Sequence, residues 1–285
     1  MTPMNISEWL SRANAALAES GCPDPQIDAR WMAESALDMT RSDLIFEGDR
    51  ELSPDRRARL DDMLKRRVGG EPVQYILGRA DFMGLSFFVN DDVLIPRQDT
   101  ETLAEAALID LRGRDGAPAV LDLCTGSGCV GLSLASLAPH ARVTLSDLSR
   151  GALEVARRNQ RALGVAAELR HGDLFDAVGR ERFDLIVSNP PYIPRGELDG
   201  LQREVRREPR MALDGGEDGL DLYRRIAKDA GAHLNPGGAV YLEVGIGQAP
   251  AVLDLLKSAL PCERAGTVKD LNGIERVVYA TTTQS

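Results

Sequence analysis

The amino-acid sequence predicts an α/β fold preceded by a small helical domain, and three observations carry that prediction. From about residue 117 onward, short apolar runs alternate with helical patterns, as in a largely parallel sheet covered by helices on both faces. The first seventy residues carry helical periodicity alone. Between the two lies a stretch rich in Phe and Val around a polar turn.

The elements follow in order. Met1-Thr2-Pro3-Met4-Asn5 leads into a helix with neither a basic region nor an apolar signal core, so a cytoplasmic protein is expected. Ile6, Trp9, Leu10, Ala13 and Leu17 share one helical face, and Asn5 with Glu8 forms a capping-box pattern at its start. Residues 27–37 read as a second helix. Ser53-Pro54 opens another, an N-cap followed by proline in the first turn, with Leu60, Met63, Leu64 and Val68 on its apolar side. A helical bundle is expected over residues 1–71. Phe82, Leu85, Phe87, Phe88 and Val89, then Asn90-Asp91-Asp92, then Val93-Leu94-Ile95 read as a hairpin, making residues 72–98 a bridge. Residues 99–285 hold the βα units. Strands are expected at 119–123, 143–147, 183–187, 239–244 and 275–280. Helices are expected at 130–137, from the Ser149 cap to Leu163, and at 220–234, where Asn235-Pro236-Gly237-Gly238 stops the last one.

Bulk properties exclude several classes. No run of about 18 uncharged apolar residues exists, so no membrane helix is expected. Cys22, Cys124, Cys129 and Cys262 contain no C-x-x-C pair and only three histidines accompany them, so no metal site is expected and the thiols read as small buried groups. Residues 1–90 carry 11 basic and 15 acidic side chains and the remainder 23 and 29, so neither part has the positive field that holds duplex nucleic acid.

Two motifs carry chemistry. Asp122-Leu123-Cys124-Thr125-Gly126-Ser127-Gly128 lies where a strand turns into a helix, the end of an open α/β sheet at which ligands bind. Gly126 and Gly128 permit positive φ and close approach to the backbone. The loop departs from G-x-G-x-x-G, which favours a ligand without a pyrophosphate. Asp147 ends the next strand, where an acidic residue grips ribose hydroxyls, so a nucleoside-bearing cofactor is expected.

The second motif is Asn189-Pro190-Pro191-Tyr192 after the 183–187 strand. Asn189 offers a side-chain carbonyl, the Pro190 carbonyl is a second acceptor, and Tyr192 can stack on a planar group. An amide nitrogen is a poor nucleophile because its lone pair is delocalised. Two acceptors holding its N–H bonds direct that lone pair at an electrophile and stabilise the positive charge that builds on nitrogen.

On these motifs the second half resembles a class I (Rossmann-like) methyltransferase with the N-P-P-Y signature shared by DNA adenine and protein glutamine enzymes. The whole chain is similar to the HemK/PrmC family, which methylates the glutamine of the Gly-Gly-Gln motif in peptide chain release factors. The likeness includes Gly70-Glu71-Pro72-Val73-Gln74-Tyr75-Ile76-Leu77-Gly78 and Leu94-Ile95-Pro96-Arg97-Gln98-Asp99-Thr100-Glu101. It continues through Glu208-Pro209, Ala212-Leu213, Gly216-Glu217-Asp218-Gly219-Leu220 with Tyr223, and Lys269-Asp270-Leu271-Asn272-Gly273-Ile274-Glu275-Arg276. The resemblance implies S-adenosyl-L-methionine, bound by Cys124, Thr125, Gly126, Ser127, Gly128, Asp147 and Asn189, with Leu174 beside the adenine. It implies that Asn189, Pro190, Pro191 and Tyr192 bind the glutamine, and that Asn189, Pro190 and Tyr192 carry the catalysis. A release factor would be the partner, docked by the N-terminal bundle of a monomer that uses neither nucleic acid nor membrane. Cys124 stands where many members have Gly, and Leu174 where some have an aromatic residue.

Two enzyme alternatives differ in substrate. A ribosomal-protein glutamine methyltransferase shares the chemistry, but the 95–101 and 269–276 segments favour the release-factor enzyme. A DNA adenine N6-methyltransferase would need a basic target-recognition surface, which the acidic balance opposes. Arg203, Arg206, Arg207 and Arg210 fall at helical spacing and could line a docking face. With Glu204 and Glu208 among them, a solvated, salt-bridged helix is the preferred reading, and the Arg56–Arg67 cluster reads the same way.

Overall fold

The computed structural model describes residues 4–284, so the lead-in of residues 1–3 lies outside it. The chain forms two compact units, Met1–Gly78 with Gln202–Arg207, and Arg79–Leu201 with Glu208–Ser285.

The first unit contains α1 (Ile6–Glu19), α2 (Pro25–Leu37), α3 (Arg41–Phe46), α4 (Pro54–Val68) and α5 (Val73–Leu77). Asn5 Oδ1 accepts from Glu8 N at 2.8 Å and Glu8 Oε2 accepts from Asn5 N at 2.9 Å, so the expected capping box closes α1. Ile6, Trp9, Ala13 and Leu17 are buried with Leu60, Met63 and Leu64 of α4 in one apolar cluster. The helical unit extends past the expected end at residue 71, because Val73 and Ile76 of α5 join that cluster.

Arg67 belongs to the expected surface cluster, yet it is buried. Its Nε donates to Asp28 Oδ2 at 2.6 Å, Nη1 to Glu204 Oε1 at 2.7 Å and Nη2 to Cys22 Sγ at 3.2 Å. Burial pushes the Cys22 thiol up to about 11, with Asp28 adding to the shift. The expected salt-bridged helix through Arg203, Arg206, Arg207 and Arg210 does not form; 3-10 turns at Val205–Arg207 and Arg210–Ala212 replace it. Pro209 supplies no N–H and disfavours helical geometry at Glu208 before it. Arg203 lies across Gly70, Arg207 Nη2 donates to the Gly69 carbonyl at 3.2 Å, and Arg206 and Arg210 are exposed.

The second unit begins with the antiparallel hairpin β1 (Ala80–Phe82) and β2 (Leu85–Phe87). This hairpin turns at Met83-Gly84, earlier than the sequence suggests. Both residues have positive φ (51° and 72°), as a two-residue hairpin turn requires. Asn90 instead closes a local turn in which its Oδ1 accepts from Asp92 N at 3.2 Å, and residues 93–95 form no strand.

There follow α6 (Gln98–Arg112), β3 (Ala119–Leu123), α7 (Cys129–Leu137), β4 (Arg142–Asp147), α8 (Arg150–Leu163), β5 (Glu168–His171) and β6 (Phe183–Ser188). The unit ends with α9 (Asp221–His233), β7 (Leu234–Glu243), α10 (Ala249–Ala259), β8 (Cys262–Lys269) and β9 (Glu275–Thr282). Seven strands form one sheet in the order β5-β4-β3-β6-β7-β9-β8, parallel except that β9 runs against both neighbours. Leu103, Ala107 and Leu111 of α6 and Leu132 of α7 pack on one face; Tyr223, Ile226 and Ala230 of α9 and Val252 and Leu256 of α10 pack on the other. Asn235-Pro236-Gly237-Gly238 ends α9 as expected and bulges out of the β6–β7 register, which pairs Phe183 with Leu234 and then Leu185 with Ala239. Asn235 Nδ2 donates to Asp184 Oδ1 at 2.8 Å and Gly237 N to the Thr283 carbonyl at 2.9 Å, which anchors the bulge. The order reverses beside β3: β4 and β5 extend to one side, β6 and β7 to the other. The crevice of such a sheet opens at the carboxyl ends of the two strands flanking the reversal.

Removing Asp28 would leave Arg67 buried beside a single carboxylate. Asp28→Ala is expected to destabilise the helical unit by about 3 kcal/mol, while Arg67→Met, which removes the charge itself, costs markedly less. Urea unfolding of the two variants checks the order; a larger loss in Arg67→Met would contradict it.

Candidate active site

The cleft at the carboxyl ends of β3, β4 and β6 is lined by Cys124, Thr125, Gly126, Ser127, Asp147, Leu174, Asn189 and Pro191, among others. Seven of the expected cofactor residues and part of the N-P-P-Y motif therefore converge. Gly128, Pro190 and Tyr192 are not among the lining residues.

The loop after β3 is shaped by a buried acid. Asp122 Oδ2 accepts from the Thr125 hydroxyl at 2.5 Å and from Gly131 N at 2.9 Å, tying the loop to the first turn of α7. A Cβ on Gly131 would lie 2.8 Å from that oxygen, so this position admits only glycine without rearrangement. Burial pushes the Asp122 carboxyl up to about 7, against the opposing pull of those two donors. Thr125 N donates to the Ser146 carbonyl at 3.0 Å, which joins the loop to the end of β4. Asn159 of α8 is also buried and donates to the Ser127 carbonyl at 2.8 Å and the Phe88 carbonyl at 3.0 Å.

The loop's backbone is strained where the cleft opens. Cys124 has φ of 57° and Leu174 has φ of 49°, two of the four non-glycine residues with positive φ among the described residues. The glycine that many members of the resembled family carry at this position would adopt this conformation freely. Burial pushes the Cys124 thiol up to about 12, so it is a neutral wall and no nucleophile. At Gly126, φ is 56° and a Cβ would meet nothing within 4 Å, so the backbone faces open space.

Asp147 stands opposite. Its Oδ2 accepts from Gly126 N at 2.9 Å and its Oδ1 from Ser149 N at 2.8 Å. A carboxylate has about four acceptor sites, and with the Leu148 N–H also bonded to it one remains for a ligand hydroxyl. Burial raises the Asp147 pKa, and the backbone N–H groups of Ser149 and Gly126 oppose that shift.

At the end of β6, Ser188 Oγ donates to the Leu123 carbonyl at 2.7 Å and locks the two strand ends together. Asn189 then projects into the cleft, and its Nδ2 donates to Thr100 Oγ1 of α6 at 3.2 Å. Tyr192 is half-buried. Gln248 Nε2 donates to its carbonyl at 2.9 Å, and a Cβ on Gly215, Gly219 or Gly245 would crowd it. Burial, with Glu243 nearby, pushes its hydroxyl up to about 12, so it stays neutral.

Several lining residues lie outside the motifs singled out for chemistry. Val93, Leu94, Pro96 and Arg97, expected in a bridge, form one wall, and Pro209, Met211, Ala212 and Asp214 another. Glu208 joins these walls: its Oε2 accepts from Ile95 N at 3.0 Å and its Oε1 pairs with Arg97. The sequence signal for both walls was their place in the resemblance; spacing alone gave no reason for them to meet.

Residues 8–78 match the PrmC N-terminal domain and residues 103–207 the methyltransferase small domain. The chain is 47% identical to the release factor glutamine methyltransferase of Geobacter sulfurreducens, over 96% of this chain and 95% of that one. It is 40% identical to the enzyme of the same name from Moorella thermoacetica (97% and 98%) and 44% identical to that of Bordetella pertussis (92% and 96%). Among solved structures, a methyltransferase from Pyrococcus furiosus aligns at 18% identity with a TM-score of 0.53, covering 81% of this chain and 100% of that one. The T. thermophilus 16S rRNA N2 G1207 methyltransferase aligns at 22% identity with a TM-score of 0.52, covering 72% and 49%. These two likenesses establish the class I methyltransferase fold and nothing finer.

The raised Asp122 pKa has a consequence for stability. Between the ordinary value of 3.8 and about 7, the folded chain holds a proton that the unfolded chain has released, so stability falls as pH rises through that window. Asp122→Asn cannot titrate. Its urea midpoint is expected to decline less steeply from pH 4 to 7 than that of the wild type (a window of about three units). Equal slopes would mean that Asp122 titrates normally.

Proposed function

The chain belongs to the release factor glutamine methyltransferase family, and from that premise we propose that its cleft methylates the side-chain amide nitrogen (N5) of the glutamine in the Gly-Gly-Gln motif of a peptide chain release factor. The observation that carries the reading is the convergence, in one cleft, of the Asp147 carboxylate with the amide of Asn189.

S-adenosyl-L-methionine, when bound, supplies a methyl group activated by attachment to a positively charged sulfur. The residues fit such a molecule. Asp147 lines the cleft with acceptor capacity left for a ribose hydroxyl, and Cys124, Thr125, Gly126 and Ser127 line it beside the open surface at Gly126. Gly128 shapes the turn, since a Cβ there would meet Leu132 at 2.8 Å. Leu174 offers an apolar wall to the adenine.

The glutamine amide is held by Asn189 Oδ1 and the Pro190 carbonyl, which accept its two N–H bonds. Pro191 and Tyr192 flank its plane. Holding both N–H groups turns the nitrogen lone pair toward the methyl and stabilises the charge that forms on nitrogen. No side chain need act as base, because the methylated nitrogen sheds its proton after transfer. The neutral Tyr192 hydroxyl and Cys124 thiol are suited to this chemistry, as neither competes as a nucleophile.

The helical unit through Gly78 is assigned to docking the release factor, residues 79–98 to the connection and residues 99–285 to transfer. A monomer in the cytoplasm, without nucleic acid or membrane contacts, completes the reading. The net charge of -10 supports it against a nucleic-acid substrate, and no helix among the described residues is long and apolar enough to cross a membrane.

Incubating the protein with labelled S-adenosyl-L-methionine and, separately, a release factor, a ribosomal protein or duplex DNA tests the proposal. Mass spectrometry is expected to find one added methyl on the Gly-Gly-Gln glutamine; transfer to DNA alone would sink the reading. Asn189→Ala is expected to lower turnover by about 100-fold or more while cofactor binding, read by calorimetry, is largely kept. Loss of both would make Asn189 a structural residue.

A further inference from the structure

Glu243 ends β7 deep inside the catalytic unit, only 2% exposed, and Thr100, also 2% exposed, faces it from the first turn of α6. The Glu243 carboxyl meets the side chains of Thr100 and Asn189, and its Oε2 has no hydrogen-bond partner among the described residues. Nothing in the transfer chemistry above uses this buried acid. An isolated acid there is costly, so its retention calls for a role.

Asn189 has two chemically different ends. Its Nδ2 already donates to Thr100 Oγ1 at 3.2 Å. An ionised carboxylate only accepts, so Glu243 also favours the NH2 end and repels the carbonyl end. With both groups behind it, Oδ1 is the end left for the cleft. A reversed amide would set Oδ1 against a carboxylate and present an NH2 donor to the substrate, where two N–H groups need acceptors. We infer that Glu243 and Thr100 are positioning residues that hold the Asn189 amide with its carbonyl oxygen facing the substrate glutamine. The inference rests on the methyl-transfer reading for its consequence, though not for the geometry.

The carbonyl of Glu243 itself accepts from the Tyr223 hydroxyl at 2.7 Å, which fixes the end of β7. Arg276 of β9 and Asp99 of α6 are the charged groups that act on the carboxyl. The hydroxyls of Tyr192 and Tyr223 and the thiol of Cys129 are the titratable groups that feel it. Arg276 is in turn paired with Asp99 at 2.7 Å and Asp270 at 3.1 Å, so its charge is shared. Burial pushes the Glu243 carboxyl up to about 7, with Thr100, Arg276 and Asn189 opposing the shift. Below that pH the acid becomes a donor, and the preference for one amide orientation weakens.

The test needs the full chain and two readouts. In the protein alone, the Asn189 Nδ2 proton pair is located in amide NMR spectra by its absence from Asn189→Ala. It is expected to shift with a midpoint near pH 7 (about the value for Glu243), and to lose that titration in Glu243→Gln. In turnover, Thr100→Val is expected to lower kcat by about tenfold or more with cofactor Kd changed by less than about twofold, and Thr100→Ser to recover most of the loss. An Asn189 pair that ignores pH, or titrates unchanged in Glu243→Gln, overturns the inference, as does a Thr100→Val enzyme with wild-type kcat. If the NMR titration behaves as expected but no release factor is methylated, the functional reading fails and the positioning stands.

Discussion

The parallel pairing of β3 with β6 is the constraint on which the site depends. Leu123 and Ser188 are register partners, and the Ser188 hydroxyl bonds back to the Leu123 carbonyl. Two segments 65 residues apart in the chain are thereby made neighbours at their carboxyl ends. The loop from Cys124 and the amide of Asn189 then have no choice but to share one crevice, because strand order reverses beside β3.

Around that pairing, buried polar groups do the aiming. Asp122 shapes the glycine loop from beneath, Asn159 holds the Ser127 carbonyl, and Glu243 with Thr100 stands behind Asn189. Each is expensive to bury and each spends its hydrogen bonds on a residue that faces the cleft. Glu208 plays the same part at the mouth, where it binds Ile95 N and Arg97 and so fastens two otherwise unrelated walls. The pattern separates residues that face the cleft from residues that orient them.

Much of this was legible in the sequence wherever the signal is local. Asn5 and Glu8 form the expected capping box, Ser149 caps α8 by accepting from Ala152 N at 3.1 Å, and strands β3, β4 and β6 fall where apolar runs predict them. Local signals failed where a distant partner overrides them. The arginines at 203–210 have helical spacing, but Pro209 and the burial of Glu208 break the segment. The edge strand β5, Glu-Leu-Arg-His, buries too little to show an apolar run.

By itself the sequence determined the fold class, the helical domain before it, and the two motifs that meet in the cleft, because each is written in the spacing of adjacent residues. Only the tertiary structure decided what stands behind those motifs. Thr100, Asn159, Glu208 and Glu243 look like ordinary polar residues in the chain, since the groups they hold are supplied by other elements. Burial gives them their meaning: away from water, an acid or amide must find its partners in the protein, and which partners those are depends on how the strands are ordered.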